Sequence, residues 1–229
     1  MPDHAEWTQR RAGYRRLGAM TMLYNLDADA GAIGRTFGVE VGNDPWTGSY
    51  VAPASFAPVI TAGREFIAGP GSSRQPWRMV PRLWGVPPPP SAHDATRAVL
   101  SVRNRQSPFW IGNLRNPEFR CLVPATSFME WGPQPVSVGA DGKRRQHWFT
   151  ASDQPLFALA GVWMDSEVPG FALLTCAPNA LVKRTGRDAM PVILPPHRGA
   201  WATWLHGGWD RAEALLEPYS SSLMRKVER

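Results

Sequence analysis

Glu130 is the one carboxylate in the apolar run Arg120–Gly132, RCLVPATSFMEWG, where it sits between Met129 and Trp131. Val123, Phe128 and Trp131 are bulky enough to hold this run in a core. A glutamate among such neighbours is costly to ionise unless a cation meets it, so the sequence predicts either a raised pKa or a buried partner. The alternative is a glutamate at a strand end that reaches solvent, the usual place for a charge flanked by apolar residues. Cys121 and Cys176 lie in apolar blocks and form no CxxC pair. They have no histidine at ligand spacing, so they read as packing residues and no metal or cofactor is expected. His147 and His197 have no motif around them. Arg103, Arg184 and Arg187 are cations that can hold phosphate, pair with a carboxylate, or simply face solvent.

These groups have to be carried by a chain of 229 residues, long enough to bury a sizeable core. Its net charge is +6 and its cations are nearly all arginine, with lysine only at 143, 183 and 226. Such a balance makes nucleic acid plausible, although an Arg-, Ala-, Pro- and Gly-rich composition alone produces the same numbers. No stretch approaches the about twenty apolar residues of a membrane span. The first twenty residues are polar and arginine-rich rather than a secretory signal, and a cytoplasmic protein with reduced thiols is expected.

Residues 1–19 read as a basic extension, either a short helix, a disordered arm or the product of an upstream start codon. A short strand is expected over 21–26, then a helix capped by Asp27 and running to about Phe37. Tyr50–Thr61 is expected extended, with a turn and return strand over 63–68 and a further strand at Trp77–Trp84. Pro87–Pro90 excludes helix and central strand. Ala98–Arg103 is extended, and Ser107-Pro108 opens a helical turn to Leu114. Arg120–Trp131 reads as strand and turn, and Gly132–Arg145 as a polar loop. Strands follow at 146–151, 156–164 and 170–175, then a short helix from Asn179, the strand Met190–Leu194, and a helix opened by Pro195-Pro196. A helix from Asp210 and a last strand near 224–227 close the chain. Many short strands with scattered helices predict one β-rich α+β domain over residues 20–229.

Several blocks in this order resemble the SRAP family, the SOS response-associated peptidases or abasic-site processing proteins. They are Met20–Leu26, PASFAPV at 53–59, Trp84-Gly85-x-Pro87, Ser101–Asn104, RCLVPATSFMEW at 120–131, LAGVW at 159–163, LLTCAPNA at 173–180 and AMPVIL at 189–194. The resemblance implies a groove for single-stranded DNA. It also implies a mature N-terminal cysteine whose amine and thiol together capture the aldehyde of an abasic site, with an Asn, an Arg, a Glu and a His assisting. Carried over by position, the cysteine is Thr21 here, the asparagine Ser101 and the histidine Gly186. Only Arg103 and Glu130 keep the family's identities. The resemblance thus points to a SRAP-like, monomeric, DNA-damage-response protein that binds single-stranded or abasic DNA through Arg103, Ser101, Asn104, Trp84 and Arg187, with the cysteine chemistry lost. Two alternatives stay open: an active abasic-site lyase, crosslinker or autopeptidase that uses an N-terminal Thr21 amine with Glu130, and a non-catalytic scaffold that holds a protein or a small molecule. Trp84 itself reads either as core or as a base-stacking residue at the groove edge.

Overall fold

The run that holds Glu130 folds as two strands in two different sheets, broken by a single residue. The computed structural model describes residues 22–62, 76–94, 96–132 and 145–228. Within them β6 spans Arg120–Ala125 and β7 spans Ser127–Trp131. Thr126 is the corner between them. Its backbone N–H and its hydroxyl both donate to the Asn25 carbonyl, at 2.7 and 2.9 Å, and its hydroxyl accepts from the Asp27 N–H at 3.0 Å. The expected strand and turn is therefore a strand, a pinned corner and a second strand.

The first sheet closes on itself. Strands β3 (Phe56–Thr61), β4 (Arg78–Trp84), β10 (Gly170–Cys176), β9 (Phe157–Met164) and β6 form a five-membered ring. Every contact in the ring is antiparallel except β4 with β10, which is parallel at Gly170↔Leu83 and Phe171↔Trp84. Closure removes the open edges that a free sheet exposes. The seam is tight: a Cβ at Gly170 would lie 2.3 Å from the Gly85 carbonyl oxygen, so only glycine fits there. All six residues of β6 are buried, as are the first seven of β9, which accounts for their unbroken apolar runs. Trp84 stacks on Phe171 at 6.3 Å, tilts against Tyr24 at 5.1 Å and donates its indole N–H to the Leu100 carbonyl. Each such fully buried large side chain contributes about 1.5–3 kcal/mol.

The second sheet is antiparallel, in the order β12 (Met224–Val227), β8 (Gln146–Ala151), β7, β1 (Leu23–Leu26) and β2 (Ser49–Val51). Two very short strands, β5 (Ser101–Val102) and β11 (Met190–Pro191), extend the barrel at the C-terminal half of β10. β5 takes over where β4 has ended, and β11 where β9 has ended. The segments after β5 and before β11 are thereby brought to the same end of β10.

Helices α1 (Ala30–Phe37), α2 (Pro108–Arg115), α3 (Ala180–Lys183), α4 (Arg198–His206) and α5 (Trp209–Glu213) pack around the sheets. Two starts differ from expectation. Asp29, not Asp27, caps α1 by accepting from the Ala32 N–H at 2.6 Å, because the Asp27 N–H is held at the Thr126 corner. α4 begins after His197, whose Nδ1 accepts from the Ala200 N–H at 3.1 Å; Pro195 and Pro196 precede it. Of Met190–Leu194 only the first two residues form a strand, and Ile193 makes a single bridge to Leu159. The architecture is the expected α+β, β-rich fold. The expected turn and return strand at 63–68, the extension 1–19 and most of the loop 132–145 lie outside the described residues. No helix among the described residues is long and apolar enough to cross a membrane.

Candidate functional site

Glu130 lies near the end of β7 and is 2 % exposed. The loop from α3 to β11 turns at Gly186, whose φ of +76° suits glycine, and the next residue reaches the carboxylate. Arg187 Nε stands 2.9 Å from Glu130 Oε2. The approach is off the N–H axis, so the two groups form an ion pair and the Nε–H is left without an aligned acceptor. Burial pushes Glu130 up to about 7, against the opposing attraction of Arg187 and, more weakly, Arg103. The solvent-reaching strand end is excluded, and the raised pKa and the buried partner occur together: Glu130 is buried, it has a partner, and burial still outweighs the partner.

Arg103 follows β5 on the other flank of β10. Of the readings open to Arg103, the structure shows the pairing with a carboxylate, and that carboxylate is Asp188. The two terminal nitrogens of Arg103 donate to the two carboxylate oxygens of Asp188, at 3.1 and 3.2 Å. That hydrogen bonding, with the charge behind it, holds Asp188 below the usual carboxylate range. Consecutive loop residues are therefore tied to opposite sides: Arg187 to the strand glutamate, Asp188 to the arginine after β5. The expected position of the missing histidine, Gly186, is the turn itself, and the side chain that meets Glu130 is Arg187.

A cleft of about 500 Å³ opens over this pair of ion pairs. Its walls include Met22, Ser101, Arg103, Glu130, Trp131 and Arg187, with Pro88, Pro89 and Ala92 on the outer side. Arg97, Arg103 and Arg187 line it together with Asp94 and Glu130, so its positive excess is modest. Thr175 Oγ1 donates to the Val102 carbonyl at 2.9 Å and fixes β5 against β10 beneath the cleft.

The sequence-predicted residues divide as follows. Glu130, Arg103, Arg187 and Ser101 come together on the cleft. Thr21 lies outside the described residues, although its neighbour Met22 lines the cleft. Asn104 is exposed, does not line the cleft, and uses its side-chain oxygen to accept from the Gln106 N–H at 3.0 Å. Trp84 is among the residues that line the cleft, yet it is 0 % exposed with its ring packed against Phe171 and Tyr24; of its two readings the core one holds and the base-stacking one is corrected, since its face is closed to a base. The aromatic that is half-exposed at the cleft is Trp131, which the sequence reading assigned to the core. Cys121 is buried and Cys176, away from the cleft, is pushed up to about 11 by burial and the nearby Glu217, so neither is a nucleophile.

Matched against known families, the chain fits SRAP, SOS response associated peptidase, over residues 20–228. A solved protein of Bacteroides thetaiotaomicron is similar to it with a TM-score of 0.67 at 19 % identity, covering 89 % of this chain and 90 % of that one. A protein of Bordetella bronchiseptica gives 0.63 at 18 % identity, covering 90 % and 99 %. A phage-related protein of the same organism gives 0.65 at 15 %, covering 90 % and 92 %. At these identities the likeness concerns the fold. Among curated proteins none matches in sequence.

Proposed function

This chain belongs to the SRAP family, and from that premise we propose that it binds single-stranded DNA, intact or carrying an abasic site, noncovalently in the cleft beside Glu130. The observation that carries this reading is the Arg187–Glu130 ion pair at 2.9 Å. A guanidinium stays protonated near neutrality, so it offers phosphate a charge and offers chemistry no proton shuttle. Arg103 adds a second cation on the opposite wall and Trp131 an aromatic face, the two elements of a single-strand groove. Its experiment is an affinity series against salt with a single-stranded oligonucleotide. The logarithmic slope is expected to show about 0.7 for each phosphate neutralised; a flat dependence removes the reading.

A second reading is favoured by one observation: Met22 lines the same cleft as a glutamate that titrates near 7. A mature N-terminal Thr21 would place an α-amine one residue away, and such an amine condenses with an aldehyde to give an imine and water. Borohydride reduction in the presence of abasic single-stranded DNA tests it. A trapped adduct on protein with Thr21 at its N-terminus supports amine chemistry, and no adduct removes it.

A further inference from the structure

Beside the cleft lies a second concavity of about 480 Å³. The two share walls. The loop after α3 turns Arg184, Thr185 and Gly186 to this side and Arg187 to the cleft. In the β7–β8 ladder Glu130 stands directly opposite His147, so the two are neighbours on one face of the sheet; the glutamate lines the cleft and the histidine lines the concavity beside it. Lys226 comes from β12, where it pairs with Phe149 of β8, and Arg145 precedes β8.

The charges differ sharply from those in the cleft. Arg145, Arg184 and Lys226 line the concavity, and no acidic residue lines it among the described residues. Among the described residues none of these three cations forms an ion pair. The floor is His147, only 8 % exposed, whose Nδ1 is buried without a hydrogen-bond partner. Burial, then the charges of Lys226 and Arg145, hold this imidazole below its ordinary pKa. Three cations gathered with no carboxylate repel one another, and a buried ring nitrogen without a partner costs free energy. A small multivalent oxyanion would relieve the first of these costs and give the imidazole a charge to face.

We infer that this concavity is a phosphate-binding site, with Arg145, Arg184 and Lys226 as the charge and His147 as the buried floor. Phosphate fits the set better than carboxylate because two guanidinium forks and an ammonium converge from separate elements on several oxygens. The phosphate has two sources. One is the backbone of the strand whose neighbouring nucleotide fills the cleft, a source that rests on the DNA-binding reading. The other is a free phosphate or phosphomonoester, which does not.

The test uses the full chain and its Arg145→Gln/Lys226→Gln double variant, both changes lying at exposed positions. The His147 imidazole is titrated by nuclear magnetic resonance with inorganic phosphate, and with chloride at equal ionic strength. Phosphate is expected to raise its pKa, chloride to leave it, and the double variant to lose the response. A phosphate response equal to that of chloride, or one that persists in the double variant, overturns the site. In parallel an oligodeoxythymidylate is bound at several salt concentrations. A slope lower by about 0.7 in the variant assigns the pocket to a strand phosphate. An unchanged slope together with a positive phosphate titration assigns it to free phosphate. An oligonucleotide that does not bind at all removes the DNA reading and leaves the phosphate result to decide the pocket alone.

Discussion

Arg187 and Glu130 meet at 2.9 Å with side chains only 15 % and 3 % exposed, one carried by a loop and the other by a strand of a different sheet. Neither charge would be tolerated there alone. The pair recovers part of what each loses in leaving water, and the recovery is incomplete, since the carboxyl still titrates at about 7 rather than 4.5.

That imbalance fixes a pH dependence of stability. The folded pKa lies above the unfolded one, so the contribution of Glu130 is present in full below about 4.5 and is lost as pH rises to about 7. The loss is on the order of 3 kcal/mol. Urea denaturation of the wild type against Glu130→Gln, from pH 4.5 to 8, is expected to show the wild type losing stability relative to the variant. Parallel curves would show that Glu130 titrates alike in both states. In the same assay Arg187→Met is expected to cost about 3 kcal/mol at pH 8, where it strands a carboxylate, and clearly less at pH 5.

The same protonation controls how much of Arg187 faces a ligand. Below about 7 Glu130 becomes neutral and Arg187 gains an uncompensated charge. Affinity for a single-stranded oligonucleotide is expected to rise as pH falls from 8 to 6, and Glu130→Gln to bind tightly across the range. His147 also gains charge on acidification, so the comparison with the variant isolates the part due to Glu130. Equal pH dependence in both proteins would place the titrating group elsewhere.

If Arg103 holds phosphate as proposed, Asp188 competes for it. The pair is half-exposed, with side chains 49 % and 73 % open, and is worth at most about 1 kcal/mol. Asp188→Asn is therefore expected to strengthen oligonucleotide binding by about two- to fivefold at low salt, an advantage that fades as salt screens it. Weaker binding in fluorescence anisotropy would mean that Asp188 holds Arg103 in its working position.

The two tryptophans separate core from groove. Trp84→Ala is expected to cost about 3–5 kcal/mol of stability, while Trp84→Phe keeps oligonucleotide affinity. Trp131→Ala is expected to cost about 1–3 kcal/mol of binding with a smaller loss of stability. Anisotropy titrations beside thermal melts decide it; a binding loss in Trp84→Phe equal to that in Trp131→Ala would undo the assignment.

Strands announced by unbroken apolar runs, such as Phe157–Trp163, were legible because burial on both faces leaves a continuous signature. Glu130 was legible for the converse reason, as the one carboxylate in such a run. Its partner was not. Arg187 arrives through β11 and the end of β10, and no local pattern in Arg184–Asp188 records which strand those residues will meet. The preference for Asp29 over Asp27 goes with a hydrogen bond that the Asp27 N–H donates to a residue about a hundred positions away. Trp84 and Trp131 have equal hydrophobicity, and only their places in the strand ladder separate a ring at the barrel wall from one at an opening.

Thr126 sets a parity. Between the barrel strand and Glu130 the chain passes one corner residue, and side chains on β7 alternate from there. Removing or adding one residue at that corner would leave composition and charge almost intact. It would nonetheless exchange odd for even along the strand, turning Phe128 away from Phe149 and Glu130 away from Arg187 and offering Met129 in its place. Whether this site holds a buried carboxylate is thus decided by a count of one.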